Sequence, residues 1–216
     1  STFAGSLANE EMGVPGVSPY LAFGKTYGKM TGMPVGLIQT SLGGSPMERW
    51  NPKDGDLYLN MLDKIHQTGG KYAGVLWYQG CSDTNPGPAE KYLEHFREYV
   101  EATRKELGYE IPFFTMQLNR QINGINDECW GMVRDAQARA AKEIPGVSVL
   151  TTSNLSLCDG IHNTAQANVA LGEKLAKQCA HVLNGKEEYQ PPELVKVERA
   201  DEAERKSFQL EGSGIW

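Results

Sequence analysis

Short apolar runs alternate with longer amphipathic segments along most of the chain. Four runs have the length of buried strands, namely MPVGLIQ, YAGVLWY, IPFFTMQL and VSVL, and stretches with apolar residues at helical spacing separate them. Parallel strands need long crossover connections, usually helices, so this alternation predicts an α/β domain with a mainly parallel sheet and helices on both faces. Ligands in such a domain bind at the carboxyl ends of the strands.

Glycine and proline mark the ends of the predicted helices. Glycine commonly follows the last turn of a helix, and proline cannot continue one. Glycines follow three of the helical stretches, at positions 32, 69 and 108, and Pro145 follows a fourth. We therefore predict helices over residues 20–30, 57–67, 89–107 and 127–144, and a loop followed by a last helix within residues 158–183.

The 216 residues fit one α/β domain with an appended segment. Residues 1–185 carry the alternating pattern. Residues 186–216 alternate apolar and polar side chains around a charged turn, which is typical of a β-hairpin or of the opening strands of another domain.

Composition excludes several classes of partner. The net charge of -6 argues against a nucleic-acid ligand. No apolar run approaches the roughly 20 residues that span a bilayer, and the N-terminus lacks the blocks of a signal peptide. The four cysteines include no C-x-x-C pair, so neither a zinc site nor a disulfide framework is indicated, and the redox compartment stays open.

An Asp and a His stand three residues apart in CDGIHNTAQANVALGEKLA, just before an amphipathic stretch. A serine hydrolase needs a histidine to take the proton from its nucleophile and a carboxylate to hold the imidazole in the right tautomer. Asp159 and His162 would supply both from one short loop. A capping Asp beside a surface His is the plainer interpretation, because D-x-x-H is common by chance.

Two loops after predicted strands contain residues suited to binding an oxyanion. In TSLGGSPMERW, Gly43 and Gly44 let backbone N–H groups approach a developing negative charge closely. In LWYQGCSD, the amide of Gln79 can donate to an oxyanion, a contact worth roughly 3 kcal/mol in other hydrolases. A plain tight turn and a satisfied buried glutamine are the alternatives.

The chain also contains four motifs in a fixed order: VGLIQTSLGGSPMERW, GVLWYQGCSD, a W-x-x-x-R-x-A-Q helix over residues 130–137, and DGIHNTAQANVALGEKLA. In order and spacing they resemble the SGNH hydrolases of the sialate O-acetylesterase and acetylxylan esterase group, over about residues 14–183. The resemblance implies a flavodoxin-like three-layer α/β/α sandwich and removal of acetyl groups from a carbohydrate through an acyl-serine intermediate. It implies no metal or other cofactor, and it favours a secreted or periplasmic bacterial protein.

The resemblance also implies a role for each residue of the motifs. His162 would be the general base and acid, with Asp159 as its orienting carboxylate. Gly43 or Gly44, together with Gln79, would donate hydrogen bonds to the oxyanion.

Two further positions have more than one interpretation. Arg134 could meet the carboxylate of a sialic acid, or it could form an ion pair on the helix surface. Cys81 stands where the family usually has Glu in its Q-G-E segment. A thiolate beside an imidazolium is reactive, but the loop position of Cys81 argues against its being the nucleophile.

The serine is where the chain departs from the family. The family serine lies in a G-Q-S-N segment on the first strand, and no GQSN occurs here. Three explanations are open: the serine-bearing first strand belongs to a segment of the parent protein outside this chain, the chain is a non-hydrolytic sugar-binding relative, or Ser6 in FAGSLAN is the nucleophile. Only five residues precede Ser6, too few for a buried central strand. Ser45 and Ser82 are better explained by turn chemistry.

Overall fold

The structure is a computed structural model that describes residues 16–185 and the backbones of residues 193–200 and 207–213. Helices and strands alternate over residues 16–185: α1 (Pro19–Thr31), α2 (Asp56–Thr68), β1 (Val75–Trp77), α3 (Pro88–Leu107), β2 (Phe113–Met116), α4 (Asp127–Glu143), β3 (Val147–Leu150) and α5 (Ala165–Asn184). Short 3₁₀ turns occupy Met47–Trp50 and Cys81–Asp83. All five predicted helices are confirmed, and the four with predicted ends agree with them to within two residues.

Capping residues explain where the helices begin and end. Gly32 and Gly108 adopt the left-handed conformation after α1 and α3, with φ of 73° and 76°. The side chain of Thr164, two residues after His162, accepts the N–H of Ala167 and so caps the start of α5. The sequence determines these boundaries locally, because only glycine adopts a positive φ without strain.

Strands β1, β2 and β3 form a parallel sheet in that order. Val75 pairs with Phe113, and Phe113 pairs with Val147. Helices α3 and α4 are the crossover connections between them. The carboxyl ends of the three strands therefore lie at one edge of the sheet.

Helices cover both faces of the sheet. On one face, α2, α3 and α4 pack with Trp77 and Phe113 into an aromatic-rich core, in which the ring centroids of Trp77 and Tyr99 lie 4.5 Å apart. On the other face, α1 and α5 pack against Phe114 and Met116. The predicted three-layer sandwich is confirmed.

One predicted strand is absent. Residues 33–40, which contain the MPVGLIQ run, form no regular secondary structure. A strand needs a hydrogen-bonded neighbour, and within the described residues β1 pairs with β2 on one edge while its other edge has no partner. Val35 packs against the core beside α1, but Met33, Leu37 and Ile38 stay 40–41% exposed. The prediction of four strands in this sheet is therefore wrong for the described part of the chain.

The tail contains two paired strands, in keeping with the predicted hairpin. Strands β4 (Glu193–Ala200) and β5 (Ser207–Ser213) form an antiparallel pair. Residues 186–192 lie outside the described residues, so the boundary at residue 185 and a further β-domain stay predictions.

Candidate active site

Asp159 and His162 lie in the loop between β3 and α5. The Nδ1 atom of His162 is 2.7 Å from Oδ2 of Asp159, and Oδ1 of Asp159 accepts the backbone N–H groups of Ile161 at 2.8 Å and His162 at 2.7 Å. These two backbone N–H groups and the imidazole lower the pKa of Asp159 to about 2. The carboxylate is therefore ionised at neutral pH and fixes both the loop and the ring.

The His162 ring is accessible. Its side chain is 68% exposed and that of Asp159 is 52% exposed. Among the described residues, Nε2 of His162 has no hydrogen-bond partner. With Nδ1 held by the carboxylate, Nε2 is the nitrogen that can accept a proton from a nucleophile.

Asn163 holds this loop against the ends of two strands. Its amide nitrogen donates to the hydroxyl of Tyr78, directly after β1, at 3.3 Å. Its Oδ1 atom accepts from Asn119, beyond the end of β2, at 2.7 Å. The His162 loop is thus tied to the carboxyl edge of the sheet, where a ligand is expected.

Gly43 and Gly44 form an exposed turn in the segment that precedes Ser45. Gly44 has a φ of 68°, a conformation that side-chain-bearing residues seldom adopt. In residues 16–185, the backbone N–H groups of both glycines have no acceptor. Both glycines are exposed, and their role as oxyanion donors stays a prediction.

Ser45 has a structural position beside this turn. Its hydroxyl is buried, donates to the carbonyl of Leu42 at 2.8 Å and accepts from the indole N–H of Trp50 at 3.1 Å. A hydroxyl with both contacts satisfied and no access to solvent is not placed to attack an ester. This agrees with the assignment of Ser45 to turn chemistry.

Gln79, the second residue beyond β1, contacts the segment that follows the glycine turn. Its amide nitrogen donates to the carbonyl of Ser45 at 2.9 Å and to Oδ2 of Asp83 at 2.5 Å, and its Oε1 accepts from Tyr92 at 3.1 Å. Both amide hydrogens are therefore already used. Its role as an oxyanion donor stays a prediction, and it requires one of these two bonds to open.

The W-x-x-x-R-x-A-Q segment lies on α4 and joins strand ends. Gln137 accepts the N–H of Leu118 at 2.8 Å and donates to the carbonyl of Gln79 at 2.9 Å. The indole of Trp130 donates to the carbonyl of Asn119 at 2.8 Å. Through these contacts α4 fixes the positions of the loops that follow β1 and β2.

Arg134 also contacts these loops. Its guanidinium donates to the carbonyl of Leu118 and, at 2.8 Å, to the hydroxyl of Ser153. Burial lowers the pKa of its guanidinium. The described part of the chain gives it no acidic partner and so lends no support to the surface ion pair, whereas contact with a substrate carboxylate stays a prediction.

Three other residues are candidates for the nucleophile: Cys81, Ser82 and Ser6. Desolvation, with smaller contributions from the charges of Asp159 and Asp83, raises the pKa of the Cys81 thiol to about 11, so the reactive thiolate is scarce at neutral pH. Ser82 is half-buried in the turn after β1. Ser6 lies outside the described residues. No serine of the described residues is hydrogen-bonded to His162.

Asp83 and Asn163 are site residues that sequence reasoning missed. Asp83 ends the LWYQGCSD motif, and Asn163 directly follows His162, so both are polar residues within segments that the sequence already singles out. Their partners come from distant segments, which local spacing does not disclose. The described residues bring no three His, Cys, Asp or Glu side chains together as metal ligands, and they include no helix long and apolar enough to cross a bilayer.

Comparison with known proteins gives consistent matches. Residues 5–181 match the family model described as carbohydrate esterase, sialic acid-specific acetylesterase. A probable carbohydrate esterase of Arabidopsis thaliana is 28% identical over 173 residues, which are 76% of this chain and 64% of that protein. The chain thus spans less than two thirds of the length of this relative.

Solved structures share the fold. A carbohydrate acetylesterase from Xanthomonas citri superposes with a TM-score of 0.72 at 25% identity, over 84% of this chain and 44% of that one. A carbohydrate acetylesterase from Sinorhizobium meliloti has a TM-score of 0.61 at 16% identity, over 76% of this chain and 85% of that one. The SGNH hydrolase fold predicted from the sequence is confirmed.

Proposed function

Since the chain belongs to the carbohydrate esterase, sialic acid-specific acetylesterase family, we propose that it carries the catalytic site of an enzyme that removes O-acetyl groups from a sugar of the sialic acid or xylan type. The observation that carries the proposal is the contact between His162 and Asp159, with Nε2 of the ring free of described partners. The acetylated carbohydrate is its partner, and a secreted or periplasmic location belongs to the same proposal.

In the proposed reaction, a serine hydroxyl attacks the acetyl carbonyl while Nε2 of His162 takes its proton. Asp159 stabilises the resulting imidazolium, and the N–H groups of Gly43 and Gly44 stabilise the oxyanion. The imidazolium then protonates the departing sugar oxygen. Water, activated by the same nitrogen, cleaves the acetyl-serine and releases acetate.

We further propose that the nucleophilic serine lies on a strand that pairs with the second edge of β1. Two observations support this: β1 lacks a partner on that edge among the described residues, and the apolar run at residues 33–39 leaves Leu37 and Ile38 exposed. An added parallel strand would satisfy the edge, and its carboxyl end would lie at the same edge of the sheet as His162. The strand belongs to a part of the protein outside the described residues.

A serine-directed phosphonate tests the proposal. The polypeptide is assayed against p-nitrophenyl acetate and an O-acetylated sialic acid or xylan, with and without the reagent, and its intact mass is measured. For a polypeptide that includes the serine-bearing strand, we expect turnover, its loss on treatment, and one adduct whose peptide contains a serine outside residues 16–185. An adduct on Ser82 would contradict the added strand, and turnover that survives the phosphonate would contradict the acyl-serine mechanism.

The second candidate is a non-hydrolytic sugar-binding relative, or a lipase-like or thioester-cleaving SGNH hydrolase. One observation favours the first of these, namely that no described serine contacts His162. Sugar binding without turnover or adduct would identify it, provided that the parent protein's N-terminal segment, when added back, restores neither. Preference for long-chain esters or thioesters over acetylated sugars would identify the second.

A further inference from the structure

Asp83 has an unusual environment for an aspartate. The residue is 3% exposed, and both oxygens of its carboxylate accept the backbone N–H of Met47 at 3.1 Å. Oδ2 also accepts the amide of Gln79 at 2.5 Å. In the part of the chain that the structure describes, no cation forms an ion pair with it.

Burying this charge is unfavourable. Desolvation raises the pKa of Asp83 above its usual value, although the hydrogen bonds from Gln79 and Met47 and the nearby His95 oppose the rise. A neutral side chain would avoid this cost. Buried ionisable groups with a perturbed pKa are often found at functional sites, where the charge has a role in binding or catalysis.

The contacts of Asp83 hold the segment that follows the glycine pair. Met47 is bound directly, and Ser45 is bound through its carbonyl to Gln79, which Asp83 orients. The Ser45 hydroxyl in turn donates to Leu42. Both ends of the Gly43–Gly44 turn are thereby fixed, while the N–H groups of the two glycines have no acceptor among the described residues.

We propose that Asp83 is a positioning residue that holds the Gly43–Gly44 turn in the conformation whose N–H groups receive the oxyanion. This inference rests on the proposed esterase function. Asp83 does not touch the reacting atoms itself, and it acts through Met47 and Gln79.

The proposal has a consequence at low pH. A protonated carboxyl group has lost its negative charge and is the weaker acceptor, so its hydrogen bonds from Met47 and Gln79 weaken. Three other titratable groups lie close enough to influence it: His95 and Tyr92 from α3, and Cys81 from its own turn. Protonated His95 would favour the charged form of Asp83, whereas an ionised Tyr92 or Cys81 would disfavour it.

Amide NMR of the full chain tests the contact without relying on activity. On acidification of the wild type, we expect the N–H signals of Met47, Gly43 and Gly44 to shift together. Asp83→Asn should displace the Met47 signal at neutral pH and abolish the joint transition, whereas Glu48→Gln, which neutralises an exposed acid in the same segment, should leave both unchanged. Independent behaviour of the three wild-type signals would overturn the proposal even if the variant failed to fold.

Kinetics test the catalytic consequence. Asp83→Asn should lower kcat roughly tenfold to a hundredfold and leave KM within about twofold, because removing an oxyanion contact outright costs about 10²- to 10³-fold. The acidic side of the pH profile of kcat should change in Asp83→Asn and stay unchanged in Glu48→Gln. An unchanged kcat would overturn the positioning role. A wild type without esterase activity would instead count against the proposed function, and the amide titration alone would then decide whether Asp83 holds the turn.

Discussion

One carboxylate, that of Asp159, binds both the backbone and the ring of His162. Its Oδ1 atom accepts the backbone N–H at 2.7 Å and its Oδ2 atom lies 2.7 Å from Nδ1. A side chain three residues away thus fixes the position and the tautomer of the imidazole together. This compact arrangement explains how an exposed loop can hold a general base in one orientation.

His162→Ala should abolish esterase activity and leave the fold intact. We expect kcat/KM to fall by a factor of about 10⁴ or more, since loss of a general base in such a site has effects of that size. His66→Ala is the matched control, because His66 is also an exposed histidine bound to a carboxylate, that of Glu106 at 3.0 Å. Equal activity of the two variants would contradict the assignment of His162.

Asp159 should stay ionised far into the acid range. With its pKa lowered to about 2, its contribution to stability is present above pH 3.8, the ordinary value, and is lost as the pH falls towards 2. Carbon-13 NMR of the side-chain carboxyl should show a midpoint near 2. The backbone N–H groups of Ile161 and His162 contribute most to this lowered pKa. His162→Ala keeps both groups, so the pKa of Asp159 should stay well below its ordinary value in that variant. A midpoint that returns to the ordinary value in that variant would show the imidazole to be the dominant cause.

Ser45→Ala should destabilise the protein without removing the nucleophile. The change leaves the indole N–H of Trp50 and the carbonyl of Leu42 without their buried partner, at a cost of about 1–3 kcal/mol. Thermal unfolding should show a lower Tm, and phosphonate should still add one adduct. Loss of that adduct in folded Ser45→Ala would contradict the structural role.

Gly172 permits the close packing of α5 on α1. A Cβ atom at this position would lie 2.1 Å from the carbonyl oxygen of Pro19. Gly172→Ala should therefore destabilise the fold by about 1–3 kcal/mol or more, as overpacking does. At Gly131, on the exposed side of α4, an added Cβ atom would meet nothing within 4 Å, so Gly131→Ala should stabilise by about 0.5–1 kcal/mol. Chemical denaturation measures the free energy of unfolding of both variants. A similar loss of stability in the two would contradict the packing argument.

Local chemistry made much of the fold predictable. Gly32 and Gly108 mark helix ends because glycine adopts the left-handed conformation whatever surrounds it in the fold. The apolar spacing of α3 reflects its one buried face. The D-x-x-H pair lies within one loop, so its spacing already brings Asp159 and His162 together. The three-layer arrangement follows from the alternation of these elements.

Pairings between distant segments were not predictable in the same way. The run at residues 33–39 has the composition of a strand, but a strand also needs a neighbour, which composition does not supply. Gln79 was correctly placed beyond a strand, yet its amide is bound by Ser45 and Asp83, which lie on opposite sides of it in sequence. Such long-range hydrogen bonds depend on how the loops meet after the sheet has formed.

The edge of β1 that has no partner among the described residues has a practical consequence for handling the protein. In a polypeptide that lacks the proposed serine-bearing strand, the backbone N–H and C=O groups of this edge are a template on which other extended chains can add. A preparation of such a polypeptide should therefore self-associate increasingly as its concentration rises, whereas one that includes the strand should not. A short peptide that occupies the edge should suppress that aggregation.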